Sequence, residues 1–189
     1  MKKIVLLLIG LYNLCTLQGQ VLEVKTNLVS DALFSPNLAM EILLSNQFTL
    51  DLSAHYNPFK EGDTKRWKHW VAQPELRYWF CSPFTTGRFV GVHLLAGEYN
   101  LGGVHLPLLF NKHTRDDRSE GWFAGAGLSY GYHWILSPHW GIEAVMGLGF
   151  VRIKYDRYRC IHCGDRLGSG YRNWIGPTKM AVSLIYVLK

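Results

Sequence analysis

The sequence predicts an all-β protein: an eight-stranded antiparallel up-and-down transmembrane β-barrel, preceded by a cleavable signal peptide. Three observations support this prediction. Apolar and polar residues alternate with period two in eight segments. Short and long connections alternate between those segments. No apolar run after residue 20 is long enough for a transmembrane helix, so a membrane-spanning form requires a closed barrel.

The first 19 residues have the pattern of a secretory signal peptide. Lys2 and Lys3 form a basic start, residues 4–17 are mostly apolar, and Gly19 is a small residue suited to cleavage. An apolar run of about 14 residues is short for a membrane anchor. Cys15 leaves a lipoprotein signal open as an alternative. We therefore expect residues 20–189 to form one exported domain.

The composition excludes several classes of protein. The chain has 48% hydrophobic and 18% charged residues, which is too apolar for a disordered chain. Four cysteines are too few for a disulfide-stapled mini-protein. The formal net charge is +6, but Lys and Arg form no block, so we expect no nucleic-acid partner.

Eight segments show the period-two alternation that is typical of half-buried strands. Pro74 is the poorest fit because it has no N–H to donate, and we expect a bulge or register change there. The segments are 22–28, 38–44, 48–56, 72–80, 90–97, 124–134, 142–150 and 180–188.

The connections between these segments alternate in length. Residues 45–47, 81–87 and 137–139 are short, whereas 57–70, 99–121 and 156–175 are long. Outer-membrane barrels have short periplasmic turns and long outer loops. The first outer connection, 30–37, is the one short exception. This parity predicts that both termini of the domain face the periplasm.

Periodicity alone does not say which face points inward. A soluble, lipocalin-like barrel would enclose the apolar face. Two features favour the inverted arrangement: the polar face is rich in glycine, which suits a crowded interior, and aromatic residues cluster near strand ends as in a membrane-interface girdle. Those aromatic residues are Phe48, Tyr56, Tyr78, Phe80, Tyr130, Tyr132, Trp134 and Trp140.

The inward face carries acids, bases and histidines in near balance. Eight-stranded barrels are filled by side chains, so these groups must pair with one another. We expect a structural network and a closed, non-porin interior; a proton-linked gate is the alternative. The predicted network contains Glu23, Lys25, Glu41, Asp51, His55, Glu75, Arg77, His93, His133, Glu143 and Lys179.

The motif Cys160-Ile-His-Cys163 is the sharpest local signal. In an oxidising compartment, a Cys160–Cys163 disulfide is the favoured interpretation. Metal binding by Cys160, His162 and Cys163 is weakly supported because a zinc site needs four ligands. Cys81 falls on a turn at the other end of the domain and should be unpaired. We expect no cofactor.

Ser129, His133 and Glu143 are weak catalytic candidates. Ser129 and His133 lie four residues apart on one inward face, and Glu143 is on the next strand. A nucleophile, a base and an orienting acid are what acyl chemistry on lipid A would need. Inward serine and histidine are more often structural, so we favour a protein that is not an enzyme.

The predicted outer loops are basic. Arginine and lysine beside Trp67 and Trp70 suit the anionic headgroups of outer-membrane lipid, including the phosphates of lipopolysaccharide. The alternative is a solvated charged loop. The candidate contacts are Lys65, Arg66, Lys68, Arg157, Arg159, Arg166 and Arg172.

The chain resembles domain-of-unknown-function family 3575, outer-membrane barrel proteins of the Bacteroidetes. The matching stretches include residues 24–28, 36–38 with Glu41, 67–70, 73–79, 121–122, 129–132, 155–163 and 176–179. The resemblance covers nearly all of the domain and implies fold and compartment, but no catalytic residue. The C-terminus lacks the terminal aromatic residue that is common in outer-membrane barrels.

These observations predict a small, non-porin outer-membrane β-barrel of a Gram-negative bacterium. Its role would be structural, or it would interact at the cell surface through its basic outer loops. Outer-membrane lipid is the expected partner; lipopolysaccharide and a surface protein are further candidates. The alternatives are a lipid-A-modifying esterase or acyltransferase, and a soluble periplasmic ligand-binding barrel.

Overall fold

The computed structural model describes residues 22–58, 60–61, 65–102, 118–159 and 166–188. Within these residues, no helix has the length and apolar character needed to cross a membrane. The elements are β1 (Leu22–Asn27), α1 (Leu28–Ala32), β2 (Asn37–Ser45), β3 (Phe48–Asn57), β4 (Lys60–Glu61), β5 (Lys65–Trp79), β6 (Gly87–Gly102), β7 (Arg118–Ile135), β8 (Trp140–Tyr158) and β9 (Arg166–Leu188).

The strands form one antiparallel, ring-like sheet. Each strand pairs with its neighbours along the chain, and β1 also pairs with β9. Strand β3 pairs with β5, while the two-residue β4 only extends the β5 ladder. Eight strands therefore make up the ring, as the alternation predicts. The short connections 46–47, 80–86 and 136–139 lie at one end, which we call the turn end, and α1 lies at the other.

Several strands are longer than the sequence predicts. Strand β8 has 19 residues and β9 has 23. Segments 65–69, 98–102, 118–121, 151–158 and 166–174 were expected to lie wholly or partly in loops, but they continue the ladder at the α1 end. The ladder persists there with the character of the two faces reversed: Tyr99, Leu101 and Val151 are buried on the inner face, whereas Arg152 is exposed on the outer face. An alternation followed along the apolar outer face therefore breaks before these strand ends.

Helix α1 replaces the end of the predicted first strand. Asn27 caps the helix, and its side-chain Oδ1 accepts a hydrogen bond from the Val29 N–H at 3.1 Å. Leu28, which was expected to lie on the strand, is the first helical residue. The local capping interaction therefore ends β1 after six residues.

The expected irregularity at Pro74 is absent. The ladder to β6 skips Gln73 and Pro74 but has the same register on both sides, and the ladder to β3 is continuous. The structure places a register shift instead between β8 and β9, where Leu148 pairs with Pro177 and Gly147 pairs with Lys179. Thr178 is the additional residue of this bulge.

The two faces of the ring are inverted relative to a water-soluble core. Polar side chains point inward and are buried, whereas large apolar side chains such as Leu128, at 66% exposure, and Met146, at 61%, point outward. The buried apolar cluster is small: Trp79, Phe89, Val145 and Ala181. This arrangement matches the predicted assignment of faces.

Glycine makes the crowded interior sterically feasible. A Cβ on Gly131 would overlap the ring of Phe89, and one on Gly127 would lie 2.7 Å from His93 Nε2. The Phe89 ring is fully buried between Trp79 and the Arg77 guanidinium. The glycines of the polar face therefore leave room for large inward side chains from the neighbouring strand.

Replacing Gly131 by alanine tests this packing. Because the Phe89 ring has no space to move into, Gly131→Ala should lower the free energy of unfolding by about 1–3 kcal/mol. Gly168→Ala is the control, since its Cβ would meet no atom within 4 Å and should change stability by less than about 0.5 kcal/mol. Urea unfolding monitored by tryptophan fluorescence measures both; equal effects would contradict the packing.

Candidate functional site

A buried network of charged side chains occupies the middle of the ring. Its members alternate inward along six strands, and ring closure brings them together from both ends of the chain. All eight side chains are at most 8% exposed. They are Glu23, Lys25, Glu41, Asp51, Glu75, Arg77, Glu143 and Lys179.

Arg77 is the centre of this ion network. Its Nε donates to Glu75 Oε1 at 2.7 Å, and its Nη1 donates to Glu41 Oε2 at 2.6 Å and to Glu143 Oε2 at 2.8 Å. Nη2 also reaches Glu143 Oε1 at 3.1 Å. The guanidinium lies over the Phe89 ring, 4.4 Å from its centroid. One cation thus joins carboxylates from β2, β5 and β8.

Two lysines extend the ion network. Lys25 Nζ donates to Glu41 and, at 2.9 Å, to Glu143 Oε2. Lys179 Nζ donates to Glu75 Oε2 at 2.7 Å and lies 3.5 Å from Asp51 Oδ1. Lys179 therefore links β9 to β3 and β5 on the other side of the ring, and Lys25 links β1 to β2 and β8.

Two further residues complete the hydrogen bonding around Glu41. The Thr49 hydroxyl donates to Glu41, and Trp79 Nε1 donates to Thr49 Oγ1 at 2.9 Å. Sequence reasoning did not single out Thr49 as part of the network. The period-two alternation could have identified it, since Thr49 shares the inward face of β3 with Asp51.

The ion network is not charge-neutral. It contains five carboxyl groups and three cations. Both carboxyl oxygens of Glu23 are buried without a hydrogen-bond partner among the described residues, and the nearest cation atom, Lys25 Nζ, is 3.6 Å away. If all eight groups were ionised, the buried network would carry excess negative charge, which is costly.

Two cavities flank the ion network. The one toward α1 has a volume of about 270 Å³ and is lined by polar groups including Ser35, His55, His69 and Lys179. The one at the turn end, about 460 Å³, touches His133 and Phe84. Lys25, Asp51, Arg77 and Glu143 of the ion network also line the cavity toward α1.

The predicted histidines all point inward. His93 Nε2 lies 2.9 Å from Thr178 Oγ1, and His133 packs edge-on to Trp79 with ring centroids 5.7 Å apart. His55 is half-buried and lines the cavity toward α1. Every residue of the predicted inward network is thus on the inner face, and the charged members meet in one cluster.

The catalytic candidates do not form a hydrogen-bonded triad in the described structure. His133 and Glu143 are cross-strand neighbours, but the Glu143 carboxylate is held by Arg77 and Lys25. Neither the Ser129 hydroxyl nor either His133 ring nitrogen has a hydrogen-bond partner among the described residues. A nucleophile activated by a base requires that contact, or a short path to it.

The cysteine motif cannot be placed. Cys160, His162 and Cys163 lie outside the described residues. Cys81 lies on the exposed turn between β5 and β6 and has no disulfide partner in the described part of the chain. Among the residues described, no group of three or more His, Cys, Asp or Glu side chains is arranged to hold a metal ion.

The predicted basic contacts lie at the α1 end, mostly on strands. Lys68 is on β5, Arg157 on β8, and Arg166 and Arg172 on β9; these four were expected in loops. Arg159 follows β8 and is exposed. Lys65 and Arg66 begin β5, and their side chains lie outside the described set.

Inside this end of the ring, aromatic groups support the strands. Tyr99 donates from its hydroxyl to the Lys154 carbonyl at 3.3 Å and packs near Phe123. On the outer surface, the guanidinium of Arg152 lies over the Tyr171 ring.

The ring and its buried ion network define an all-β protein with a polar interior and an apolar exterior. The chain belongs to the family described as protein of unknown function (DUF3575), whose model matches residues 4–188. This confirms the family resemblance seen in the sequence. No curated protein matches the chain, and no solved structure does.

Removing the central cation tests the ion network. Arg77→Met should lower the free energy of unfolding by about 3–5 kcal/mol, because it leaves several buried carboxylates without their partner. Arg166→Met is the matched control: its ion pair with Asp156 is exposed and should contribute at most about 1 kcal/mol. Denaturant titration of both variants gives the comparison; similar losses would refute the central role of Arg77.

Proposed function

We propose that this protein is a small, non-porin outer-membrane β-barrel of a Gram-negative bacterium, exported by its signal peptide. Its filled interior gives it a structural role, and its basic outer end interacts at the cell surface. One observation supports this proposal above all others: charged side chains are buried inside the ring, while large apolar side chains cover its outside. Only a surrounding apolar medium makes that inversion favourable.

The apolar exterior has the height of a bilayer core. On β7, the outward side chains run from Trp122 to Trp134 through Leu128. At about 3.3 Å per residue and a tilt of about 40°, this segment spans roughly 30 Å. Tryptophan at both limits fits the aromatic girdles of outer-membrane barrels. We call this band the apolar belt.

The same pattern argues against a soluble ligand-binding barrel. Such a protein would bury Leu128, Met146 and Leu148, which here are 60–66% exposed. Contiguous apolar patches of more than a few hundred Å² are rare on soluble monomers.

The orientation follows from the ends of the barrel. The short turns and both ends of the described sheet lie at one side, which is the periplasmic side in outer-membrane barrels. The α1 end then faces outward with the basic strand ends. Arginine there can bind phosphate through paired hydrogen bonds, so lipopolysaccharide is the natural lipid contact.

Placing a charged side chain on the apolar belt tests whether the belt contacts lipid or water. Leu128→Arg should reduce barrel stability in lipid vesicles by about 2–4 kcal/mol, because the guanidinium would face hydrocarbon. Leu167→Arg is the control: Leu167 is 44% exposed on β9 beyond the belt, so the change should stay within about 0.5 kcal/mol. In a water-soluble protein, both substitutions would be nearly neutral.

Cell fractionation provides a second test. The expressed chain should sediment with the outer membrane and migrate differently on gels before and after boiling, as folded barrels in detergent do. Recovery only from the soluble periplasm, with one gel mobility, would refute the proposal.

A further inference from the structure

Strand β9 is much longer than the strand that closes the ring against it. Strand β1 pairs with β9 only from Ser183 to Leu188, while β8 pairs with β9 up to Arg166. Above Ser183, the far edge of β9 therefore has no strand partner in the described part of the chain. Such an edge presents a row of backbone donors and acceptors to any approaching chain.

Side chains satisfy this edge near the ring closure. The Asn27 side chain donates to the Met180 carbonyl and accepts from the Val182 N–H, both at 3.2 Å. Gln73 Nε2 donates to the Thr178 carbonyl at 3.2 Å. Pro177 has no N–H to satisfy. Side chains and Pro177 thus account for the edge at positions 177–182, and residues 169–175 have no strand partner on this side in the described part of the chain.

In residues 169–175, every second residue directs its backbone N–H and C=O groups away from β8, in the plane of the sheet. Between the bulge and the C-terminal end of β9, even positions direct their backbone N–H and C=O groups toward β1, as the Met180 carbonyl and the Val182 N–H do. The additional residue, Thr178, shifts this alternation, so odd positions from 169 to 175 direct theirs to this side above the bulge. Asn173 and Ile175 are both exposed, with Ile175 at 82%. Pro177 agrees with this alternation, because it stands at an odd position and has no N–H that would be left without a partner at the edge.

The chemistry around the open edge is basic. Within the described residues at this end of β8 and β9, Asp156 is the one acid, and the bases are Arg152, Lys154, Arg157, Arg159, Arg166 and Arg172. Edge-to-edge pairing with a second copy would bring like charges together, which is unfavourable. An acidic chain would meet a net positive charge at this end of the two strands.

We propose that the β9 edge at positions 169–175 binds an extended acidic polypeptide segment of another protein, which adds to the sheet as a further strand. Main-chain hydrogen bonds supply the affinity and the basic side chains select the charge. This proposal rests on the proposed function in one respect: the barrel orientation is what exposes the edge to the cell exterior.

The test uses the full chain refolded in detergent and a fluorescent synthetic peptide of about ten alternating Glu and Val residues. The peptide should bind, slow amide hydrogen exchange at positions 169–175, and lose affinity as salt rises. Asn173→Pro removes one edge N–H and should weaken binding at least about tenfold. Asn173→Ala keeps the N–H and should bind as the parent does.

Gel mobility before and after boiling verifies that each variant is folded. If Asn173→Pro does not fold, a peptide N-methylated along one edge tests the same hydrogen bonds on the parent chain and should bind weakly. Equal binding of the N-methylated peptide, or of a Lys-Val peptide, would overturn the proposal. So would protection of positions 169–175 by purified lipopolysaccharide or by self-association, with none from the acidic peptide.

These outcomes are separate from those of the proposed function. If the chain proves water-soluble, the peptide assay works equally well in buffer and still reports on the edge. If the chain is an outer-membrane barrel but the edge binds no acidic strand, Leu128→Arg still lowers stability in lipid vesicles, whereas the acidic peptide does not bind.

Discussion

The contact of Arg77 with three carboxylates is the interaction on which the rest of the structure depends. Isolated buried charges are expensive, but here Glu41, Glu75 and Glu143 share one guanidinium and reach it from three strands. The apolar cluster inside the ring is too small to hold eight strands together. Charge-assisted hydrogen bonds across the interior do what a hydrophobic core does elsewhere.

The apolar exterior follows from the same alternation. A strand that sends Glu75 and Arg77 inward must send Leu76 and Tyr78 outward, because successive side chains lie on opposite faces. Glycine on the inner face, as at Gly131 beside Phe89, leaves room for long side chains from other strands. A polar interior and an apolar surface are therefore one property of the sequence, and this property supports the membrane proposal.

Period-two alternation predicted the strands and which side chains share a face, and the glycine and aromatic positions indicated that the polar face points inward. It could not predict which groups meet: Lys25 and Glu143 are far apart in the chain and come together only because the ring closes. It missed the strand ends at the α1 end, where the outer face becomes polar and apolar side chains such as Val151 are buried on the inner face. It also misplaced the irregular pairing, since Pro74 keeps its register and Pro177 marks the bulge.

The length difference between β1 and β9 shapes the α1 end of the molecule. Asn27 ends β1 by capping α1, and the same side chain bonds Met180 and Val182 on β9. Where that contact ends, the cavity lined by Ser35 and His69 lies inside the ring and the open β9 edge rises beside it. One capping residue therefore separates the closed, ion-paired part of the ring from the part of β9 that has no strand partner on this side among the described residues, and the proposed strand addition would occur on that part.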